Sequence, residues 1–250
     1  MLTVLLQLFW PATAWPSAAV HVGDRLTQSE ALDYLFSPPS SGDWAHYRLT
    51  VDGKAVLEKM VGFGSERLGD KDVLYVETSL KTPSIIDLPV PSSRDVAADT
   101  IDKTYVDAPA FGDLALTYKT VGVLEKVGDS VYDVPVLIPF SLLSELPFED
   151  LRPGTVFAVD PQVMTVGAKT VQAVHIELSF PGDAVPGGVR LAPFVLQLWQ
   201  SPDVPLATTQ LQASLDGHVY QLTLTDYGRG TYRTAISERL GGIHSPPKPQ

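Results

Sequence analysis

The chain has 250 residues, is 44% hydrophobic and carries a formal net charge of −11, which fits one large folded domain or two small ones and excludes a disordered chain. The acidic balance argues against nucleic acid and anionic membrane surfaces as partners, because both are bound by clustered lysine and arginine. The chain has no cysteine, so disulfides, thiolate metal sites, thiol nucleophiles and a cysteine-linked lipid anchor are excluded.

The first residues have the pattern of an export signal. An apolar run covers residues 2–10, and two small-x-small sequences follow at 12–14 and 17–19. We therefore predict a signal peptide at residues 1–19 and an exported protein, periplasmic or extracellular. No basic residue precedes the run, which leaves a buried first strand or a misassigned start as alternatives. The run is too short to cross a bilayer, and no later run is long enough, so we predict no integral membrane span.

A short helix is predicted next. Residues 27–30 form a capping box, and apolar residues follow at helical spacing over 31–36. The proline- and serine-rich residues 37–42 end this helix.

Three strands joined by tight turns are predicted after it. The first begins at residues 43–44 and places Tyr47, Leu49 and Val51 on one face. Asp52-Gly53 turns the chain into a second strand at 54–63. A further polar turn leads to a third strand at 73–81, which contains Tyr75.

The next segment, residues 82–111, breaks the strand pattern. Its prolines exclude a central strand, although residues 85–90 are unusually apolar for a loop. A short helix here would place Asp95, Asp99 and Asp102 on one face, the best metal candidate in the chain. No further ligand completes that set, so we interpret it as a solvated acidic face and predict no metal and no cofactor.

Further strands are predicted at 114–127, 131–138, 155–159 and 170–180. Between the second and third of these, Ser141 can cap a short helix that carries Leu142, Leu143 and Leu146.

The clearest strand pattern covers residues 189–227. Apolar and polar residues alternate through 210–215 and again through 220–225, and Asp216-Gly217 lies between the two series. Asp-Gly favours the positive φ angles of a two-residue hairpin. We therefore predict three consecutive antiparallel strands with one apolar and one polar face. The proline-rich tail at 241–250 is predicted to be disordered.

These elements predict a mainly β (α+β) protein with nine or ten strands. The strands recur at similar spacing, so we predict one β-rich domain over residues 20–240; two β subdomains meeting near 151–154 are the alternative. The expected architecture is a large, curved antiparallel sheet, a half-barrel, with a few short helices covering its concave face.

No sequence motif for catalysis is present. The chain lacks a nucleophile elbow, a zinc-protease helix and a P-loop. Glu58, Glu77 and Glu177 lie within predicted strands, which leaves a glycan-acting enzyme as an alternative. We predict that the protein is not an enzyme.

The apolar non-strand segments suggest a ligand-binding hollow. Segments 31–36, 85–90 and 142–146 are suited to plug a concave sheet, and an incomplete plug would admit a lipid or acyl chain. A complete plug would give a dry core and a structural or protein-interaction module, which stays open. The predicted ligand-binding residues are Tyr75, Leu142, Leu143, Leu146, Leu196, Leu198, Leu222 and Leu224.

Two stretches of the chain resemble a known group. Residues 42–50, followed by Asp52-Gly53-Lys54, resemble the opening strands of exported bacterial proteins related to the LolA/LolB lipoprotein-carrier fold. Residues 199–206 and 226–228 resemble their closing strands. The resemblance implies an open half-barrel and carriage of lipids or lipoproteins in the bacterial envelope. The predicted function is thus non-enzymatic binding of an apolar ligand, with an envelope protein as a further partner.

Overall fold

The computed structural model describes residues 39–81, 100–107, 119–134, 155–180, 184–185, 189–190, 194–215 and 217–240. These contain thirteen β-strands: β1 (Trp44–Val51), β2 (Lys54–Leu68), β3 (Lys71–Lys81), β4 (Thr100–Asp107), β5 (Lys119–Val127), β6 (Ser130–Val134), β7 (Thr155–Val166), β8 (Lys169–Phe180), β9 (Ala184–Val185), β10 (Val189–Arg190), β11 (Phe194–Gln200), β12 (Thr208–Leu215) and β13 (His218–Gly228).

Eleven of these strands form one antiparallel sheet. Their order is β6-β5-β4-β3-β2-β1-β13-β12-β11-β8-β7, and β9 and β10 form a separate two-stranded sheet. The described strands leave this sheet open, with β6 and β7 at its edges. The predicted large antiparallel sheet is therefore confirmed. The predicted helices at 27–36 and 141–146, the signal peptide and the tail all lie outside the described residues.

The predicted turns join the strands as expected. At the β1–β2 turn, Asp52 and Gly53 have φ angles of 50° and 78°, as a type I′ hairpin requires. Gly217 has a φ of 81°, and Leu215 pairs with His218 across the β12–β13 turn. The prediction of three consecutive antiparallel strands within residues 189–227 is confirmed by β11, β12 and β13.

One strand lies where the sequence pattern predicted none. β4 occupies residues 100–107, within the segment that was expected to be a loop and short helix, and Asp102 is on this strand. That prediction was wrong because β4 is an interior strand that buries polar residues on one face, so its alternation is hidden. Lys103 and Tyr105 point to one face and Val106 to the other, and all three are buried.

The end of the β7–β8 hairpin bends across its neighbours. A flat sheet would place β7 about 19 Å from β13, at four strand spacings. Gly167, in the β7–β8 turn, nevertheless lies so close that a β-carbon there would be 3.2 Å from the Thr225 carbonyl oxygen. The Lys169 amino group also donates to the Tyr227 carbonyl oxygen.

The strand β7 is longer than predicted. It continues past Pro161, because a register shift between Ala158 and Pro161 accommodates the proline on an edge strand.

The chain after β13 crosses one face of the sheet as an extended segment, residues 229–240, which we call the C-terminal strap. Its Tyr232 amide donates to the Gly42 carbonyl oxygen at 2.8 Å, and Thr231 accepts a hydrogen bond from the Trp44 indole at 3.0 Å. Leu240 lies over Gly122 of β5. The strap therefore spans β1 to β5. No helix in the described part of the chain is long and apolar enough to cross a membrane.

Candidate ligand-binding face

Six strands contribute one apolar side chain each to a continuous row. Directly paired residues follow one another across β2, β1, β13, β12, β11 and β8, so their side chains share a face. All six are at most 7% exposed. This leucine row consists of Leu57, Leu49, Leu222, Leu211, Leu198 and Ile176. Neighbouring strands are about 4.8 Å apart, so the row extends over about 24 Å.

The four predicted leucines of the closing strands lie on this apolar face. Leu198 and Leu222 belong to the leucine row. Leu196 pairs with Ala213 on one side of the row, and Leu224 pairs with Tyr47 on the other. The structure thus brings these four residues together, and ligand binding by them stays a prediction.

Tyr75 does not share that face. It is adjacent to Val76 on β3, whose partner Phe63 lies in the core of the apolar face, so Tyr75 points the other way. It packs with Tyr105, Leu124 and Ile236 beneath the C-terminal strap. Tyr75 is therefore separated from the four leucines, because the alternation of β3 does not reveal which of its faces meets them, and ligand binding by Tyr75 stays a prediction. Leu142, Leu143 and Leu146 lie outside the described residues.

A few polar residues interrupt the apolar face beside the leucine row. Tyr47 is 3% exposed, and its hydroxyl donates to the Thr208 carbonyl oxygen at 3.2 Å. Burial raises the pKa of the Tyr47 phenol, so the hydroxyl remains protonated. Lys59 is the cross-strand neighbour of Tyr47, and Thr208 in turn pairs with Gln200. We call Lys59, Tyr47, Thr208 and Gln200 the polar row.

Two members of the polar row lack partners. Lys59 is half-buried and makes no hydrogen bond or ion pair with the residues that the structure describes, and desolvation lowers its pKa to about 8. Gln200 is 5% exposed, and neither its amide nitrogen nor its amide oxygen has a hydrogen-bond partner among the described residues. The apolar face thus offers a cation and an amide that the described protein atoms leave unused.

The sequence contains a signal for Lys59 in the alternation of β2. Leu57, Lys59 and Val61 occupy alternate positions of β2, so a lysine interrupts an otherwise apolar series. Gln200 follows Leu196 and Leu198 at the same spacing. Neither residue type is commonly buried, so a polar residue at such a position marks a candidate site.

The opposite face holds buried charges beneath the C-terminal strap. The Lys103 amino group, 0% exposed, contacts Glu66 at 2.9 Å and the Ile236 carbonyl oxygen at 3.1 Å. It also lies 4.3 Å from the centre of the Tyr75 ring. The Tyr105 hydroxyl donates to Glu66, and burial raises the pKa of that phenol. These contacts satisfy the buried groups and fasten the strap to the sheet.

Glu77 is a structural carboxylate of the same region. It is 1% exposed and accepts hydrogen bonds from the Tyr232 hydroxyl, the Thr234 hydroxyl at 2.5 Å and the Ala235 amide at 2.8 Å. Both of its oxygens are therefore engaged by the strap.

The other strand carboxylates lie elsewhere. Glu58 pairs with Arg48 at 3.1 Å on the face that carries the strap. Glu77 pairs with Gly62, which is four residues after Glu58 on β2. Glu177 belongs to β8, on the far side of β1 and β13. The register places no two of these three carboxylates opposite each other. Within the described ranges, no group of three acidic or histidine side chains is arranged to hold a metal ion.

The two sequence stretches that carried the family resemblance meet in space. Trp44 pairs with Gly228, and the Asp43 carboxylate accepts a hydrogen bond from the Gly230 amide at 3.2 Å. The first and last strands of the domain are thus neighbours in the centre of the sheet.

No protein-family model matches this chain, and no curated protein matches it in sequence. A hypothetical protein of Chlamydia trachomatis is 12% identical with a TM-score of 0.41, over 80% of this chain and 94% of that one. A candidate exported protein with a YmcC-like fold from Bacteroides fragilis is 9% identical with a TM-score of 0.36, over 78% and 100% of the two chains. The lipoprotein LppX of Mycobacterium tuberculosis is 13% identical with a TM-score of 0.32, over 74% and 85%. All three TM-scores are low.

Proposed function

We propose that the apolar face of the sheet binds a lipid or another ligand with a long apolar chain, and that the protein carries or holds this ligand in the bacterial envelope without catalysing a reaction. The observation that carries the proposal is the leucine row with its interrupting polar row. Ligand sites combine an extended apolar lining with a few placed polar groups, and this face has both.

The arrangement of the strands supports a hollow on this face. Eleven of the described strands form one open sheet, and only β9 and β10 form another, so the described residues include no second large sheet that could cover the apolar face. The close approach of the β7–β8 turn to β13 supports a sheet that curves at this end. A curved sheet with one apolar face can enclose a ligand between that face and the segments that cover it.

Export of the protein is part of this proposal. It is supported by the signal-like residues 1–19. In that setting the partners are an apolar ligand and an envelope protein that delivers or receives it.

Native mass spectrometry of the full chain after gentle purification tests the proposal. We expect a mass increment that disappears after extraction with organic solvent and that is identified as a lipid. Leu196→Trp adds volume on the apolar face and should reduce the bound fraction. Val195→Trp, at a neighbouring position that is 38% exposed on the other face, should leave it unchanged. A ligand-free protein that also fails to bind added lipid would support a dry core instead.

A further inference from the structure

Lys59 lies in the middle of an apolar surface. Its neighbours across the sheet are Tyr47 on β1 and Leu80 on β3, and Leu57 and Val61 flank it along β2. It makes no ion pair or hydrogen bond with any described residue. Asp102, an acidic residue on the same face, is two strands away.

An unpaired ammonium at this position costs folding free energy. Charged groups lose hydration on burial, and the loss is offset only when an opposite charge or several hydrogen bonds replace the water. An aliphatic residue at position 59 would continue the apolar face without that cost. A position that breaks the local pattern in this way is typical of a functional site.

Gln200 is an independent sign of the same kind. It is 95% buried, it belongs to the polar row, and both of its amide atoms lack partners. Buried amides are nearly always hydrogen-bonded in folded proteins. Tyr47 links the two ends of the row, since its backbone is beside Lys59 and its hydroxyl reaches Thr208, the partner of Gln200.

We propose that the ligand of the apolar face is an anionic amphiphile, with its apolar chain on the leucine row and its carboxylate or phosphate group at Lys59. This inference rests on the proposed function. Lys59 lies two residues from Leu57 along β2, about 7 Å, so one molecule can contact both Lys59 and the leucine row. The net charge of the chain is −11, so attraction of the anion comes from Lys59 locally and not from the overall field.

The experiment compares ligands that share a chain and differ in the headgroup. The delipidated full-length protein is loaded with a fluorescent apolar probe, which is then displaced by hexadecanoic acid, hexadecyl phosphate or hexadecanol near neutral pH. We expect the acid, the phosphate ester or both to compete at least about tenfold better than the alcohol. Lys59→Met should reduce this preference to within about twofold while the affinity for hexadecanol is kept, and Lys59→Arg should retain the preference.

The controls separate this inference from the proposed function. Lys71→Met removes a lysine that is exposed next to a turn, and it should leave the preference unchanged. Equal competition by all three ligands overturns the anionic headgroup and leaves the apolar site standing. No competition by any of them overturns the proposed function itself. Displacement by acetate or inorganic phosphate alone would show an anion site without a chain and would also overturn the inference.

Discussion

At the scale of single residues, Lys59 connects stability with function. Its desolvated amino group lies on the face that forms the proposed site. The desolvation lowers the stability of the folded chain, and the same positive charge would bind the headgroup of the ligand. Such trade-offs between stability and activity recur in binding sites.

We expect Lys59→Met to stabilise the ligand-free protein near pH 7 by about 1–2 kcal/mol. The fall of the Lys59 pKa from 10.5 to about 8 corresponds to a larger free energy, but the residue is only half-buried, so solvent reduces the effect. Below pH 8 the amino group is protonated in both the folded and the unfolded chain, so the full cost is present. Between pH 8 and 10.5 the folded chain loses the proton first, and the cost falls. Urea unfolding near pH 7 and near pH 10 measures this, with Lys71→Met as control. A variant less stable than the parent near pH 7 would contradict it.

Glu77 and Glu58 are both carboxylates within strands, but their surroundings differ. Glu77→Ala would leave the Ala235 amide and two hydroxyls of the strap without their acceptor. We expect it to lower the free energy of unfolding by about 2–4 kcal/mol. Glu58→Ala removes a partly exposed pair with Arg48 and should cost less than about 1 kcal/mol. Equal losses in chemical denaturation would show that the strap contributes little.

At the scale of elements, the C-terminal strap is fitted to glycines in the strands beneath it. A β-carbon at Gly62 would overlap the Tyr232 ring, and one at Gly122 would overlap the Leu240 side chain. These two glycines therefore provide room for side chains that arrive from a distant part of the chain. The strap in turn covers the buried charges of β3 and β4.

A double-mutant cycle tests this fit. Gly62→Ala alone should destabilise the protein by roughly 1–3 kcal/mol, because the rigid Tyr232 ring must move. In the Tyr232→Ala background the overlap is gone, and alanine is favoured over glycine within a strand, so the same substitution should be neutral or slightly stabilising. Denaturation of the four proteins gives the coupling energy. Additive effects would mean that the ring does not rest on Gly62.

At the scale of the whole molecule, the sheet divides the protein into two functional sides. One face carries the leucine row and polar row, and the other carries the strap with its buried ion pair. The strap side stabilises the sheet through contacts within the chain. The ligand that we propose would bind on the other, apolar face.

Ligand removal should therefore lower the stability of the whole domain. A ligand present at about 100 times its dissociation constant adds about 2.7 kcal/mol to the free energy of unfolding, and a domain of this size responds with a shift in melting temperature of about 5–10 °C. We expect the delipidated protein to melt lower than the gently purified protein by that amount and to recover when the extracted lipid is returned. An unchanged melting temperature would count against a bound ligand.

The sequence by itself determined the strands with clear alternation and their turns. β11, β12 and β13 and the Asp52-Gly53 hairpin could be predicted because residue spacing and turn geometry are local properties of the chain. The strand β4 could not, because its buried Lys103 and Tyr105 are satisfied by Glu66 and by the strap, which are far away in sequence.

Only the tertiary structure decided which alternating faces join. Local alternation places Tyr75 and the leucines on faces of their own strands, whereas the register across β3, β2, β1 and β13 puts them on opposite sides of the sheet. The same register aligns six apolar residues from six strands into one row and sets Lys59 beside it. Strand pairing is a long-range property, since a shift of one residue exchanges the two faces, and the candidate site therefore exists only once the sheet has formed.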